Sequence, residues 1–175
     1  FLESASKAIT GITKNAEAVV TATGHGFVND QTVVISNVRG MIAVNDVPYR
    51  VVYVDANRFK LKSIASGKLV NSTGYSTYLS GGVARKCLQD DCSLVLSSDN
   101  HRLNQGETIR VTRMSRLTQY NDKYHSVRVI DQERFSLVGS TYSSTLPDND
   151  KGVVQCVSDD CKEFYFKTAR NTDLR

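Results

Sequence analysis

Short runs of apolar residues, separated by turn-forming residues, recur along the whole chain. In many of these runs apolar and polar residues alternate, as in Arg58-Phe-Lys-Leu-Lys62, where Phe59 and Leu61 share one face. A period of two is typical of a strand with one buried face. No segment sustains the apolar period of about 3.6 residues that indicates an amphipathic helix. The pattern therefore predicts an all-β chain made of small antiparallel barrels or sandwiches.

The predicted strands are bounded by Gly, Asn and Asp, as is usual for short antiparallel strands. In the first half they cover residues 8–13, 18–23, 32–36, 49–54, 58–62 and 81–84. In the second half they cover residues 94–97, 107–112, 124–130, 134–138 and 162–167. We predict that residues 1–7 are a polar lead-in.

The two halves of the chain are copies of one pattern. The stretch from Asn121 to Leu137 matches the stretch from Asn45 to Leu61 without a gap, and the same shift aligns His25 with His101. The identical pairs within this match are Asn45/Asn121, Asp46/Asp122, Val51/Val127, Asp55/Asp131, Arg58/Arg134, Phe59/Phe135 and Leu61/Leu137. A self-match of this length indicates two copies of one structural unit.

A chain of 175 residues with a repeat of about 75 residues favours two small domains. We predict a first module at residues 8–86, and a second module with a C-terminal strand at residues 87–169. The chain opens at Phe1 rather than Met, so we expect it to be a fragment of a longer protein. No apolar run approaches the about 20 residues of a membrane-spanning helix, so no span is expected.

The four cysteines form two C-x4-C pairs, Cys87 with Cys92 and Cys156 with Cys161. Zinc sites favour C-x2-C spacing, so no metal is expected here. Strand-like residues flank the first pair, and facing Cβ atoms on antiparallel strands are about 4.5–5.5 Å apart, which suits a disulfide. We predict local disulfides Cys87–Cys92 and Cys156–Cys161, with pairing across the two copies as the alternative. Disulfides in turn predict an extracellular or cell-surface location.

The net charge of +4 is unevenly distributed along the chain. Residues 1–86 hold ten Lys and Arg against five Asp and Glu, whereas residues 87–175 hold twelve against thirteen. This charge is too mild and diffuse to predict a nucleic-acid partner. The one tight basic cluster, Arg110, Arg113 and Arg116, is a candidate polyanion contact, and a solvated strand and turn is the simpler interpretation.

One combination of motifs resembles a known family. Gly24-His-Gly-Phe27 precedes a Val-x-Ile-Ser-x-Val-x-Gly-Met segment at residues 33–41, followed by Asn45-x-x-x-Tyr-x-Val51. Phe59-x-Leu61 and Tyr75-Ser-Thr-Tyr-Leu-Ser-Gly-Gly82 complete the combination. Together they resemble the small β-barrel module named after the first catalytic-cysteine half domain (FCCH) of ubiquitin-activating enzyme. Bacterial and phage surface proteins carry such modules, often in tandem. The catalytic cysteine of that enzyme lies outside the module, so the resemblance implies no chemistry.

A narrower resemblance involves the cysteine pairs and the segment Cys161-Lys-Glu-Phe-Tyr-Phe-Lys-Thr-Ala169. This combination is similar to the C-terminal part of large pilin-like subunits of bacterial tight-adherence (Tad) pili. With the barrel motifs it covers about residues 8–169. Such subunits often contain a metal-binding von Willebrand-type domain, whose Asp-x-Ser-x-Ser signature is absent from this sequence.

The second copy departs from the family pattern at its histidine turn. Asn100 and Arg102 replace Gly24 and Gly26, and His125 aligns with Tyr49. Because glycine supplies positive φ at little steric cost, these replacements predict a different turn in the second copy.

Other recurrent polar residues have a catalytic and a structural interpretation. His25 and His101 could act as a metal or catalytic pair only if the modules faced each other, so satisfied turn histidines are favoured. Turn formation also explains Asn45 and Asn121. The acidic pairs Asp90-Asp91 and Asp159-Asp160 supply too few oxygens for calcium, and turn preference explains them as well.

Four tyrosines of the first copy could form a carbohydrate-binding face, but packing in the core and at its rim is favoured. They are Tyr49, Tyr53, Tyr75 and Tyr78. In a regular strand Tyr75 and Tyr78 would point to opposite faces.

The sequence contains no nucleophile elbow, phosphate loop or dinucleotide fingerprint. We therefore expect a non-enzymatic chain without a cofactor, acting as a structural or adhesive module of a pilus-associated surface protein. Its expected partners are pilus subunits or a host surface glycan. A phage tail or baseplate module is the alternative, and a cell-wall glycan-binding or hydrolytic domain ranks third because hydrolysis needs two opposed carboxylates.

Overall fold

The computed structural model describes residues 2–140, 150–157 and 164–168. Two compact units divide the chain, one from Leu2 to Cys92 and one that begins at Ser93. Their boundary lies a few residues beyond the predicted one, so residues 87–92 lie with the first unit. No described helix has the length and hydrophobicity to cross a membrane.

The first unit is a seven-stranded antiparallel sheet with one short 3-10 helix, Ile42–Val44. Its strands are β1 (Leu2–Ala8), β2 (Gly11–Ile12), β3 (Val19–Thr21), β4 (Thr32–Arg39), β5 (Pro48–Asp55), β6 (Arg58–Ser63) and β7 (Ser80–Cys87). They pair in the order β1-β7-β4-β5-β6-β3-β2.

The second unit is a closed barrel of six antiparallel strands, with a 3-10 helix at Thr118–Tyr120. Its strands are β8 (Val95–Ser97), β9 (Thr108–Thr112), β10 (Lys123–Val129), β11 (Arg134–Leu137), β12 (Lys151–Cys156) and β13 (Phe164–Thr168). They pair in the order β10-β11-β8-β13-β12-β9. The all-β prediction is confirmed.

Five strands have the same order in both units. The series β7-β4-β5-β6-β3 of the first unit corresponds to β12-β9-β10-β11-β8 of the second. The inward residues recur with it, because Phe59 and Leu61 are fully buried, as are Phe135 and Leu137. The predicted inward face of the hairpin is therefore confirmed.

Each unit is completed by a segment from a different end of the chain. In the first unit β1 pairs with β7 and β2 pairs with β3. Between them, the Ile9 N–H donates to the Gly82 oxygen and the Thr10 N–H to the Thr21 oxygen, both at 2.9 Å. One continuous segment thus connects the two edges of the five-stranded series. The prediction that residues 1–7 are only a polar lead-in was wrong, because Leu2–Ala8 form an edge-covering strand.

In the second unit this place is taken by β13, which pairs with β12 on one side and with β8 on the other. Gly152 lies opposite Phe166, and a Cβ atom at Gly152 would collide with the Phe166 ring. The glycine therefore makes room for the aromatic ring, which is 4% exposed. Phe166 occupies the place that Ile9, also 4% exposed, has in the first unit.

We predict that Phe166→Ala lowers the free energy of unfolding by about 3–5 kcal/mol, because it removes the buried ring of the closing strand. Tyr165 is the matched control, since it is next to Phe166 on the same strand but 72% exposed. Tyr165→Ala should cost less than about 1 kcal/mol. Denaturant titration followed by circular dichroism measures both losses, and equal effects would contradict closure by β13.

Candidate functional site

The first recurrent histidine holds its turn against a neighbouring hairpin. His25 is buried, and its Nδ1 accepts a hydrogen bond from the Phe27 N–H at 2.9 Å. Its Nε2 lies 2.9 Å from the carbonyl oxygen of Asp55. A neutral imidazole protonated at Nε2 satisfies both contacts, with a donor facing the carbonyl and an acceptor facing the N–H. The ring also packs edge-on against Phe59, with centroids 5.1 Å apart.

His101 repeats this arrangement in the second unit. Its Nδ1 accepts from the Leu103 N–H at 3.0 Å, and its Nε2 lies 2.8 Å from the Asp131 carbonyl oxygen. The prediction of a different turn was wrong, because Asn100 and Arg102 adopt φ values of 49° and 55°, in the left-handed region that Gly24 and Gly26 occupy in the first unit. The internal hydrogen bonds of the histidine hold the turn although Arg102 pays a steric cost. Both histidines are turn residues, as the structural interpretation predicted.

Asn45 and Asn121 clamp equivalent loops. The side chain of Asn45 accepts from the Val38 N–H and donates to the Val38 carbonyl, both at 2.9 Å. Asn121 makes the same two contacts with Met114, at 2.9 and 2.8 Å. Each amide thus replaces the backbone partners that the loop lacks, which confirms the predicted turn role.

An aspartate and an arginine close each recurrent hairpin. Asp55 accepts from the Arg58 side chain at 2.8 Å and from the Asn57 N–H at 2.9 Å. These hydrogen bonds, that from Arg58 first, hold the pKa of the Asp55 carboxyl below its ordinary value. Asp131 and Arg134 form the same pair, with Nε and Oδ2 2.7 Å apart. The residues that the duplication keeps therefore fix turns.

Asp150 holds the loop after β9, and no local sequence pattern marks this role. The carboxylate is 2% exposed and accepts hydrogen bonds from the N–H groups of Ser115, Arg116 and Leu117, at 3.1, 2.9 and 2.8 Å. The Ser115 hydroxyl donates a fourth, at 2.9 Å. Burial raises the pKa of Asp150, but these hydrogen bonds, led by that from Leu117, outweigh burial and leave the pKa below its ordinary value.

The three clustered arginines lie in different environments. Arg110 is on β9 and forms an ion pair with Asp122, at 2.6 Å. Arg113 and Arg116 are exposed in the loop that follows, and Arg113 has a φ of 61°. With one of its three charges neutralised, the cluster offers a polyanion two exposed cations. The polyanion contact remains a prediction.

The first cysteine pair forms a disulfide, as predicted. Cys87 ends β7, and its Cα lies 5.1 Å from that of Cys92. The loop between them is tied to β4, because the Thr32 hydroxyl donates to the carbonyl of Asp90. The Cys156–Cys161 prediction lies outside the described residues, since Cys161 is not described. The acidic pair Asp159-Asp160 lies outside them too.

The register of β12 places the cysteines differently from their sequence match. Cys156 lies opposite Ile109, whereas Lys86 lies opposite Val33 at the same rung of the first unit. In the strand pairing Cys156 is therefore equivalent to Lys86, one residue before Cys87, although the two cysteine loops align in sequence.

The tyrosines of the first copy pack mainly in and around its core. Tyr49 is 4% exposed, and burial, with a smaller contribution from Tyr75, raises its pKa to about 12. Tyr75 and Tyr78 both pack against this core, and the Tyr78 hydroxyl donates to the Ile9 carbonyl at 3.1 Å. Residues 75–79 are not a strand, so the opposite-face alternation of a regular strand does not apply to Tyr75 and Tyr78. Tyr53 is 45% exposed, with its ring beside His25.

A cleft in the second unit is a further candidate site. It has a volume of about 310 Å³ and is lined by Ser97, Ser98, Asp99, Lys151, Tyr165 and Phe166. No local sequence pattern marks this cleft, because its residues come from three separate segments. The one available signal was Tyr165 between two phenylalanines, since alternation turns the tyrosine outward when they face the core. The described residues hold no cluster of three or more metal-binding side chains.

Residues 15–87 match the family model of the ubiquitin-activating enzyme E1 FCCH domain. The matched segment contains β3 to β7, which are the five strands of the series that both units share. The first unit thus contains an FCCH-like module. No curated protein matches the chain.

We expect His25→Ala to lower the free energy of unfolding by about 2–4 kcal/mol, because it removes the side-chain partner of the Phe27 N–H and of the Asp55 carbonyl and opens a cavity. His101→Ala should cost a similar amount. His125 serves as the control, because it is half-buried and its Nε2 lies 3.3 Å from the Tyr120 carbonyl oxygen. Thermal unfolding compares the three variants, and a loss no larger than that of His125→Ala would exclude a turn-fixing role.

The lowered pKa of Asp150 predicts a stability contribution that depends on pH. A carboxyl with a depressed folded-state pKa stabilises the protein above its unfolded pKa, and this contribution is lost as pH falls through the folded value. Asp150→Asn should therefore cost about 2 kcal/mol at pH 7, and the difference should shrink below about pH 4. Urea titration across this range measures the difference. Asp46→Asn, at an exposed position with a φ of 61°, is the control, and a pH-independent loss at Asp150 would refute the assignment.

Proposed function

We propose that the chain is a non-catalytic structural and adhesive module of a bacterial pilus-associated surface protein. It acts as a rigid spacer and presents loop surfaces to a pilus subunit or to a host surface. The observation that carries this proposal is the use of the duplicated polar residues: His25, Asn45 and Asp55 and their second-copy equivalents all bond backbone groups of turns. Duplication has preserved groups that fix shape.

The match to an E1 FCCH domain supports a non-catalytic role, because the resemblance implies a module that lies apart from the catalytic cysteine. The Cys87–Cys92 disulfide is compatible with an extracellular location. It favours an exported protein over a phage tail or baseplate protein, which is assembled in a reducing cytoplasm.

Exposed apolar side chains beside the Arg39–Gly40 turn support contact with a protein partner. The Ile42 N–H donates to the Gly40 carbonyl at 2.8 Å, and the Leu79 N–H donates to the Arg39 carbonyl at 2.9 Å. The side chains of Ile42 and Leu79 are nevertheless 68% and 74% exposed. Large exposed apolar side chains held beside one rigid turn favour contact with another protein. We refer to Ile42 and Leu79 as the apolar pair.

The proposal predicts saturable binding of the 175-residue chain to purified Tad-type pili from the bacterium that encodes it. Replacing the apolar pair by serine should weaken binding by about tenfold or more, because the contact loses apolar burial. Biolayer interferometry measures the affinity. Tyr124→Ser is the control, since this tyrosine is 66% exposed on β10 of the other unit.

The absence of binding to pili would overturn the pilus assignment. Peptide mapping of the natively expressed protein, alkylated without reduction, distinguishes the exported surface protein from the phage tail or baseplate protein. A linked Cys87–Cys92 peptide is expected of an exported protein, whereas two alkylated thiols would favour the phage assembly.

A further inference from the structure

The cleft of the second unit differs chemically from the same region of the first. Residues 97–99 align with Thr21, Ala22 and Thr23 by the shift that aligns the histidines. The strand pairing identifies further equivalent residues. Val153 pairs with Thr112, and Val83 pairs with Ser36, which the same shift aligns with Thr112, so Val153 and Val83 are equivalent.

Tyr165 takes the place of Ala8, because Tyr165 faces Val153 and Ala8 faces the equivalent Val83. Two residues before these valines on the same strands, Lys151 takes the place of Gly81. The first unit thus has small, uncharged side chains where the second has Asp99, Lys151 and Tyr165. The two units therefore share one backbone framework but differ in these three side chains.

The two charges of the cleft are available to a ligand. In the part of the chain that the structure describes, no ion pair engages Asp99 or Lys151, although both line the same cleft. Asp99 is exposed at the turn that follows β8, and Lys151 begins β12. The cleft therefore offers a strong hydrogen-bond acceptor and a strong donor.

The aromatic wall of the cleft is exposed and held in place. Tyr165 is 72% exposed, whereas its neighbour Phe166 is buried and anchors the strand in the core. The Ser98 hydroxyl donates to the Tyr165 carbonyl at 2.7 Å, which fixes the backbone under the ring. A tyrosine ring supplies flat apolar area at a low cost in conformational entropy. The strand that carries the ring is thus fixed before any ligand arrives.

These groups exclude several ligand classes. One carboxylate supplies too few oxygens for a calcium ion. A single lysine is a weak anchor for a nucleic-acid backbone. An apolar ligand would desolvate both charges without compensation. Glycoside hydrolysis needs two opposed carboxylates, and among the lining residues that the structure describes Asp99 is the one carboxylate.

We infer that the cleft binds a monosaccharide unit of a glycan without cleaving it. A sugar ring has an apolar C–H face that can lie on Tyr165 and hydroxyl groups that can donate to Asp99 and accept from Lys151. The volume of about 310 Å³ is at the lower end of the range for small-molecule sites, which suits one sugar. The inference rests on the proposed adhesive role for its biological setting.

The test is titration of the ¹⁵N-labelled 175-residue chain with single sugars, followed by amide chemical shifts. The probes are the methyl glycosides of glucose, galactose and mannose, together with N-acetylglucosamine and N-acetylneuraminic acid. At least one is expected to bind with a Kd of roughly 1–10 mM and to shift residues 97–99, 151 and 165–166. Tyr165→Ala and Asp99→Asn should each weaken binding by about tenfold. Tyr124→Ala should leave it unchanged.

Three outcomes would overturn the inference: no shift with any probe at about 50 mM, shifts confined to residues outside the cleft, or binding of free phenylalanine with none of the sugars. The last would assign the cleft to a zwitterion, whose ammonium and carboxylate also match Asp99 and Lys151. Because this titration uses no pili, a failure here leaves the pilus measurement standing, and the reverse also holds.

Discussion

Open sheet edges are the constraint on which this structure depends. Five strands in the shared order leave an unpaired row of backbone groups on each outer strand, β7 and β3 in the first unit and β12 and β8 in the second. Such edges recruit other strands and promote aggregation unless they are covered. One further segment must therefore pair with both outer strands, and the chain has to supply one for each unit.

The two units meet this demand with different parts of the chain. The shift of the repeat would place a closing segment for the second unit at about residues 78–88, but that stretch is already β7 and the start of the disulfide loop. The second unit therefore uses β13, which follows its five strands, whereas the first uses β1 and β2, which precede them. The duplicated pattern in the sequence is shorter than the folding unit, since each copy needs a strand from outside it.

Local patterns predicted the parts of the fold that local interactions determine. Alternation at Phe59 and Leu61 identified the inward face of the hairpin, and the spacing of Cys87 and Cys92 identified a disulfide loop. The closing strands were missed or misread, because Leu2–Ala8 contains polar residues and its pairing with β7 joins distant segments. The turn at Arg102 was misjudged for another reason. The side-chain hydrogen bonds of His101 hold the backbone of Arg102 at a positive φ that arginine disfavours. The backbone preference of a residue type does not include such hydrogen bonds from a neighbour.

The source of the closing strand also determines the chemistry of the surface beside it. With Phe166 in the core, the period of two along β13 directs Tyr165 outward, beside the turn after β8 and the start of β12. In the first unit the equivalent segment continues directly into β2, and Ala8 and Gly81 offer no side chain that could bind a ligand. Two copies of one framework can therefore carry different surface groups while the order of the five shared strands stays the same. The recurrent histidine, asparagine and aspartate residues keep those strands in place. The closing strand supplies Tyr165, and β12 and the turn after β8 supply Lys151 and Asp99.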